Sequence, residues 1–134
     1  MTSYLLDTNI ISNAMRAPNG PVVVRLAEVD GSDLYTSIVV AAELRFGAAK
    51  RGSERLRREV EDVLSRMVIR PIEPPLDRVY AQLRSHLEGE GTPIGDPDLW
   101  IAAQALHDGS VLVTDNVREF GRVPKLTVEN WLRA

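Results

Sequence analysis

Short apolar runs alternate along this chain with stretches in which apolar residues recur every three or four positions. The runs at 4–6, 34–38, 68–72 and 110–114 have the length and the polar or turn-forming flanks of buried strands. The periodic stretches between them predict helices with one buried face. Strands that alternate with helices indicate a parallel sheet covered by helices on both faces. We therefore expect one α/β domain over residues 1–134, with a mainly parallel central sheet of four to five strands.

Capping and turn residues set the expected ends of the helices. Ser37 and Ser53 are N-cap residue types, and Asp96 followed by Pro97 has the composition of an N-cap and a first helical residue. Pro21 likewise suits the first position of a helix. Helices are expected over 10–15, 21–29, 39–50, 53–67, 77–88 and 96–108, and a last edge strand is expected over 126–128.

Composition excludes several classes of protein. The 134 residues, of which 44% are hydrophobic and 26% charged, are enough for one globular domain with a core. Because cysteine is absent, disulfides and thiolate metal sites are excluded, and no glycine-rich phosphate loop is present. No apolar run approaches the roughly 18 residues of a membrane span, and the N-terminus does not resemble a signal peptide. We expect a soluble, cytoplasmic protein that does not bind a membrane.

Charge is unevenly distributed along the chain. The net charge is −3, from 19 acidic and 16 basic residues, which argues weakly against a nucleic-acid-binding protein. The segment from Arg45 to Arg70, however, holds eight basic residues against four acidic ones. A basic flank of this kind suits contact with the phosphates of a polyanion. It is also typical of a solvated helix face with ion pairs such as Arg57 to Glu61, and both interpretations can hold.

Four acidic residues fall where the pattern predicts a strand end or a buried helix face. Asp7 follows the first strand and Asp115 follows the strand at 110–114, and ligands of α/β sheets bind at the carboxyl ends of the strands. Glu43 is surrounded by small and apolar residues, and a glutamate is rarely buried unless it is paired or liganded. Asp98 lies on the apolar face of the last long helix, so its carboxylate should point toward the sheet.

Each of these acidic residues also has a purely structural interpretation. Asp7 could cap the first helix, and the helix dipole favours Asp98 in a first turn. Glu43 could belong to a thin polar stripe on its helix, and Asp115 could form a turn with Asn116. Carboxylates that converge from separate elements nevertheless repel one another unless a cation is bound. Since Mg²⁺ and Mn²⁺ prefer oxygen ligands of this kind, the set as a whole predicts a metal site.

Four motifs occur in order along nearly the whole chain. They are Leu6-Asp7-Thr8-Asn9-Ile10-Ile11-Ser12, Ala42-Glu43-Leu44-Arg45-Phe46-Gly47, Ile94-Gly95 with Asp98 and Ile101-Ala102-Ala103, and Val113-Thr114-Asp115-Asn116 with Arg118-Glu119-Phe120. These motifs resemble those of PIN-domain ribonucleases, and more closely those of VapC-type toxins from bacterial toxin–antitoxin pairs. The resemblance implies a PIN-like three-layer α/β/α sandwich and a Mg²⁺- or Mn²⁺-dependent endoribonuclease.

The same resemblance implies a set of site residues. Asp7, Glu43 and Asp98 would be both catalytic residues and metal ligands. Supporting roles fall to residues that position water, phosphate or the ligands themselves, namely Thr8, Asn9, Asp96 and Thr114. Polar residues at the end of the last buried strand would complete the set.

The fourth ligand is where the chain departs from the family pattern, because some PIN domains carry an acid at the position of Asn116. We take Asp115 as the fourth metal ligand, Asn116 as a catalytic neighbour and Glu119 as a supporting residue. The alternatives are Glu119 as the fourth carboxylate, or no fourth carboxylate and Asn116 as a neutral ligand. If 116–120 forms one helical turn, Glu119 and Asn116 should face the site together, with Asp115 less directly engaged.

The implied chemistry is hydrolysis of RNA by a metal-activated water. The cations would neutralise the scissile phosphate, lower the pKa of a bound water and stabilise the departing 3′-oxygen. Neither His86 nor His107 lies in a motif, so we expect 5′-phosphate and 3′-hydroxyl products in place of imidazole chemistry. The implied partners are an RNA substrate, a VapB-like antitoxin that folds a C-terminal segment over the acidic pocket, and a second copy of the chain in a homodimer or larger assembly.

Two other classes of protein share parts of this pattern. A phosphoacceptor signalling domain also has acids at strand ends, but Asp7-Thr8-Asn9 and the lysine-poor C-terminal half fit it poorly. A non-catalytic PIN-like binding module is favoured only by Asn116. Metal binding, measured by calorimetry, separates such a module from a nuclease.

Overall fold

A five-stranded parallel sheet forms the centre of the computed structural model, which describes residues 2–133. The strands are β1 (Tyr4–Leu6), β2 (Leu34–Ser37), β3 (Val68–Arg70), β4 (Val111–Val113) and β5 (Val128–Glu129). Their order in the sheet is β3-β2-β1-β4-β5, and each neighbouring pair is parallel. The expected α/β class with a parallel sheet is therefore confirmed, and all the carboxyl ends of the strands lie at one edge.

Within residues 2–133, seven helices cover this sheet as the outer layers of a three-layer sandwich. They are α1 (Thr8–Arg16), α2 (Pro21–Glu28), α3 (Ile38–Arg51), α4 (Glu54–Ser65), α5 (Leu76–Gly89), α6 (Asp96–Asp108) and α7 (Val117–Phe120). A single 3-10 turn, Gly31–Asp33, precedes β2. Across residues 2–133, no helix has both the length and the apolar composition that a membrane crossing requires.

Local sequence explains where several of the helices begin. Ser37 Oγ accepts a hydrogen bond from the Val39 N–H at 3.1 Å, and Ser53 Oγ accepts one from the Leu56 N–H at 3.1 Å. Both serines therefore cap the helices that follow them, as expected. Pro21 is the first residue of α2, where its missing N–H costs no hydrogen bond.

The expected N-cap of α6 at Asp96 is wrong, because Gly95 holds that position. Gly95 has an extended backbone, and its carbonyl accepts the first helical hydrogen bond from the Leu99 N–H at 2.9 Å. Asp96 is the first helical residue, and its exposed carboxylate accepts a hydrogen bond from the Tyr80 hydroxyl on α5. The Asp96 side chain therefore joins α6 to α5 and does not cap α6.

The ion pair expected between Arg57 and Glu61 is also wrong. Arg45 on α3 donates two hydrogen bonds to Glu61, from Nε at 2.9 Å and from its terminal nitrogen at 3.0 Å. Arg57 instead pairs with Glu54 at 3.1 Å. Because a guanidinium binds a carboxylate through two parallel N–H groups, the contact across α3 and α4 displaces the pair within one helix.

The core lies on both faces of the central strands. Leu5 of β1 and Leu112 of β4 are fully buried, as is Ile101 of α6. The edge strand β3 is different, since 59% of Val68 is exposed. Burial of a large aliphatic side chain contributes about 1.5–3 kcal/mol, so the central pair β1 and β4 anchors the fold more strongly than the edge.

One buried hydroxyl joins three elements at the edge of the sheet opposite the strand carboxyl ends. The Tyr35 hydroxyl donates to Asp108 Oδ2 at 2.8 Å and lies 2.7 Å from Ser110 Oγ. The Arg70 guanidinium lies 3.8 Å above the Tyr35 ring and pairs with Asp108 at 3.1 Å. This network fixes the end of α6 against β2 and β3.

We expect Tyr35→Phe to lower the free energy of unfolding by about 1–2 kcal/mol, because the half-buried Asp108 and the buried Ser110 each lose a hydrogen-bond partner. Tyr4→Phe is a matched control: the Tyr4 ring packs on Trp131 with centroids 5.4 Å apart, but its hydroxyl has no hydrogen bond to any residue from 2 to 133. The control should change the free energy by less than about 0.5 kcal/mol. Chemical denaturation measures both, and equal losses would contradict the role given to this network.

Candidate active site

Asp7 lies at the carboxyl end of β1 and is also the N-cap of α1. Only 4% of the residue is exposed. The Thr8 N–H donates to Oδ1 at 2.8 Å, the Thr114 hydroxyl donates to Oδ2 at 2.8 Å, and Asn9 Nδ2 lies 3.4 Å from Oδ2. Burial raises the pKa of Asp7, and these three hydrogen bonds act in the opposite direction. The capping and functional interpretations are therefore compatible, because one carboxylate can serve both.

Glu43 projects from the middle of α3 toward the N-terminus of α1. Its Oε1 accepts a hydrogen bond from the Thr8 hydroxyl at 2.9 Å, and its side chain is half-buried. Burial is the main cause that raises the pKa of Glu43, and the charge of Asp7 adds to it. The contact with Thr8 shows that Glu43 belongs to the same cluster as Asp7 and not to a separate polar stripe.

Asp98 occupies the first turn of α6 and is half-buried. Its pKa is raised to about 7, first by burial and then by the negative charges of Asp7, Glu119 and Glu43. At neutral pH the carboxyl group is therefore partly protonated, and a hydrogen bond to Glu119 also favours the protonated form. Asp98 is thus the carboxyl group whose pKa is raised by the charges of the largest number of neighbouring carboxylates.

The residues after β4 divide into two groups. Asn116 Nδ2 donates to Glu119 Oε2 at 3.1 Å, so these two residues contact each other, but only Asn116 of the two lines the cleft described below, which Asp115 also lines. The Gly95 N–H donates to Glu119 Oε1 at 3.0 Å, and these hydrogen bonds lower the pKa of Glu119. Glu119 thus stands next to Asp98 as an ionised carboxylate.

Asp115 has a different set of contacts. Its Oδ1 accepts a hydrogen bond from Asn130 Nδ2 at 3.0 Å and lies 3.8 Å from Arg133 Nε. Its backbone N–H donates to Asn9 Oδ1 at 2.9 Å. The side chain is thus held by the C-terminal segment, although the residue itself lines the cleft described next.

These side chains surround one open cleft with a cavity volume of about 410 Å³. Its lining includes most of the expected site residues, namely Asp7, Thr8, Asn9, Glu43, Asp98, Asp115 and Asn116. Three expected residues do not line it: Thr114 is buried behind Asp7, Glu119 lies beside Asp98, and Asp96 contacts Tyr80. His86 and His107 are both exposed and lie outside the cleft.

Three further lining residues are absent from the sequence-based set: Ser12, Arg16 and Leu132. Ser12 and Arg16 follow Thr8 at intervals of four residues on α1, so helical periodicity could have identified them. No sequence signal indicates Leu132 or the contact from Asn130 to Asp115, because both depend on how the C-terminal segment folds back over β4.

The donor set of this cleft suits a hard divalent cation, which prefers carboxylate oxygens. Within the described range 2–133, however, no group of three or more acidic or histidine side chains is already arranged to hold a metal ion. Glu43 and Asp98 are only half-buried and have room to adjust. The chemistry of the residues therefore fits a metal, and binding would require movement of these side chains.

Comparison with known proteins finds the PIN domain over residues 4–126. Ribonuclease VapC2 of Haemophilus influenzae is 37% identical over 133 residues, which cover 98% of this chain and 100% of that protein. The tRNA(fMet)-specific endonuclease VapC of Salmonella typhimurium is 33% identical over 133 residues, which cover 98% of this chain and 99% of that protein.

Solved structures give the same result. VapBC2 from Rickettsia felis, in a crystal structure with a DNA fragment from its promoter, superposes on this chain with a TM-score of 0.86 and 34% identity. The superposition covers 97% of this chain and 99% of that chain. The sequence resemblance is confirmed, and the chain belongs to the PIN-domain family.

Proposed function

We propose that this chain is a divalent-metal-dependent endoribonuclease that acts as the toxin of a VapBC-type toxin–antitoxin pair. The observation that carries the proposal is the convergence of Asp7, Glu43 and Asp98 from β1, α3 and α6 on one cleft, with a pKa of about 7 at Asp98. Uncompensated repulsion of this kind is characteristic of functional sites, and a bound cation relieves it. The ribonuclease names of the relatives support the choice of substrate.

In this proposal Asp7, Glu43 and Asp98 hold Mg²⁺ or Mn²⁺, with Asp115 or Glu119 as the fourth carboxylate and Asn116 as a neighbour. A bound cation of this kind supplies charge neutralisation at the scissile phosphate and a more acidic water. The protein supplies orientation and a fixed charge at the cleft. Its location would be the cytoplasm, where RNA is available.

Hydroxyl and amide groups of the chain hold the carboxylates in place. Thr8 fixes Asp7 through its N–H and Glu43 through its hydroxyl, and so couples two ligands at 2.8 and 2.9 Å. Asn9 lies between Asp7 Oδ2 and the backbone N–H of Asp115. Thr114 fixes Asp7 from behind, while Asp96 acts only indirectly by holding the start of α6 to α5.

The proposed antitoxin has a candidate docking surface next to α1. An apolar groove with a volume of about 650 Å³ lies between α1, α2 and α4, and its lining includes Met15, Leu26, Val63 and Met67. Grooves of this kind accept the apolar face of an amphipathic helix. Met15 lines this groove and Arg16 lines the acidic cleft, so the two sites lie on neighbouring faces of α1 and one antitoxin chain can occupy both.

A homodimer is proposed from an exposed aromatic residue. Phe46 on α3 is 68% exposed and Ile38, at the start of the same helix, is 41% exposed, so a partner that covers them would bury apolar area. A second copy of the chain that packs on α3 would cover them.

Metal removal is the first test of the proposed activity. We expect cleavage of total cellular RNA to stop in chelator and to return with Mg²⁺ or Mn²⁺, giving 5′-phosphate and 3′-hydroxyl ends. Glu43→Gln should lower the rate about 100-fold or more, because partners outside the metal ligands already contribute about 10- to 100-fold. Glu28→Gln, an exposed residue on α2, is the charge-matched control. Equal cleavage in every condition would contradict the metal mechanism.

Asp98→Asn should stabilise the metal-free protein at pH 8 and abolish cleavage. The pKa of Asp98 is about 7 when folded and about 3.9 when unfolded, so its contribution to stability is full below about pH 3.9 and is lost as pH rises through 7. After allowance for solvent screening at this half-buried site, we expect about 1 kcal/mol, or about 3–5 °C in Tm. The gain should disappear near pH 4, where Asp98 is protonated.

Asp77→Asn is the matched control for this variant, since Asp77 lies in the first turn of α5 and is exposed. The control should lose a few tenths of a kcal/mol at pH 8, because it removes an anion from a helix N-terminus. If Asp98→Asn also lowers Tm at pH 8 and keeps its activity, Asp98 is only a structural residue.

The fourth carboxylate is tested by cleavage rates at saturating and limiting Mg²⁺ for Asp115→Asn, Asn116→Ala and Glu119→Gln. A metal ligand loses more activity at limiting metal than at saturation. We expect this pattern for Glu119→Gln and, more weakly, for Asn116→Ala, which removes a hydrogen bond to Glu119. If only Asp115→Asn shows it, Asp115 is the ligand and its contact with Asn130 must break on metal binding.

A further inference from the structure

A second groove adjoins the acidic cleft and shares a wall with it. The groove lies between α1, α3 and α4 and has a volume of about 570 Å³. The residues that line both the groove and the cleft are Thr8, Ser12, Arg16 and Glu43. The groove and the cleft therefore adjoin along these four residues, so that one extended ligand can contact both.

Three arginines line this groove, whereas the acidic cleft has one, Arg16, which it shares with the groove. Arg55 pairs with Glu59 at 3.1 Å. Arg16 and Arg51 have no salt bridge or side-chain hydrogen bond to any part of the chain that the structure describes. Arg16 and Arg51 each lie in the last turn of a helix, where the helix dipole favours a cation. The dipole explains why an arginine is found at each helix end, but it does not explain why both arginines line the same groove. Two unpaired cations beside an anionic cleft favour a polyanion whose phosphates lie outside the cleft.

Gly47 lines the groove one turn from Glu43 and, because it has no side chain, leaves space there. It lies in the middle of α3, where glycine is less favourable than alanine for helix stability. Apart from its chain neighbours and the backbone of its own helix, no atom of residues 2–133 lies within 4 Å of the position that its Cβ would take, so packing does not require a glycine. The consequence is that the helix backbone is open to a ligand one turn from Glu43.

We propose that this groove binds an RNA strand through the phosphates on one side of the scissile bond. Arg16 contacts the phosphate nearest the cleft, Arg51 contacts one farther along, and Gly47 allows the sugar–phosphate chain to approach α3. The assignment rests on the proposed function, since it takes RNA as the substrate. A protein segment is a different occupant of the same groove, and this occupant is favoured if Arg16→Gln and Arg51→Gln bind RNA as tightly as Arg78→Gln does.

The test is the affinity for a fluorescein-labelled single-stranded RNA of about 12 nucleotides, measured by anisotropy in chelator over a range of KCl concentrations. Arg16→Gln and Arg51→Gln should each lower the slope of log K against log salt by about 0.7. This slope corresponds to an affinity about fivefold weaker at 0.1 M salt. Arg78→Gln, an exposed residue on α5 outside the groove, removes the same net charge and should leave the slope unchanged.

Substitutions at Gly47 test the shape of the groove independently of charge. Gly47→Ala should raise Tm and change RNA affinity by less than about twofold. Gly47→Leu should keep Tm at or above that of the unmodified chain and weaken RNA binding by about fivefold or more, which separates obstruction from misfolding. If Gly47→Leu binds RNA as tightly as Gly47→Ala does, the strand does not pass this wall.

Metal-dependent cleavage of the same RNA by the unmodified chain is measured in parallel. If that chain cleaves the RNA and Arg16→Gln and Arg51→Gln match Arg78→Gln, the groove assignment is wrong and the proposed activity stands. If that chain neither binds nor cleaves RNA, the proposed activity and the groove assignment both fail.

Discussion

Asp7 has two structural roles, and the arrangement of the rest of the site depends on both. It caps α1 at the carboxyl end of the central strand β1, and it does so as a nearly fully buried carboxylate. A buried anion is tolerated only if its oxygens are hydrogen-bonded, and Thr8 and Thr114 supply those bonds from α1 and from the end of β4. The strand order, which places β4 beside β1, is what brings Thr114 within 2.8 Å.

Once Asp7 is fixed, the charges of Glu43 and Asp98 become a source of instability. Both carboxyl groups have raised pKa values because they share a partly desolvated space with Asp7. The fold offsets this repulsion only in part, through the Thr8 hydroxyl at Glu43 and through partial protonation of Asp98. Functional sites commonly retain such local destabilisation, because the ligand that relieves it binds more tightly as a result.

The net charge of the whole chain gives no indication that acidic and basic side chains are grouped in adjacent sites. A net charge of −3 argues weakly against contact with RNA, yet four of the 19 acidic residues converge on one cleft while Arg16 and Arg51 line the groove beside it. Opposite electrostatic fields at adjacent positions suit the substrate proposed above, with one phosphate in the cleft and the flanking phosphates in the groove. The local distribution of charged side chains, and not the net charge of the chain, therefore indicates which kind of partner the chain can bind.

Alternation of apolar runs and helical periodicity was enough to predict the parallel sheet, because burial on both faces leaves no polar alternation in central strands such as Val111–Val113. Local chemistry also predicted the Ser37 and Ser53 caps, and the motifs indicated Asp7, Glu43 and Asp98. These features depend on residues close in sequence or on strand ends that topology must bring to one edge.

Contacts between distant residues were decided only by the tertiary structure. The sequence alone could not show that Asp96 accepts a hydrogen bond from Tyr80 or that Asp115 accepts one from Asn130. Nor could it show that Glu61 binds Arg45 and not Arg57. In each case two partners compete for one polar side chain, and the choice depends on distances of a few ångströms between elements. The sequence determined which groups stand at the sheet edge, and packing decided which of them face each other across the cleft.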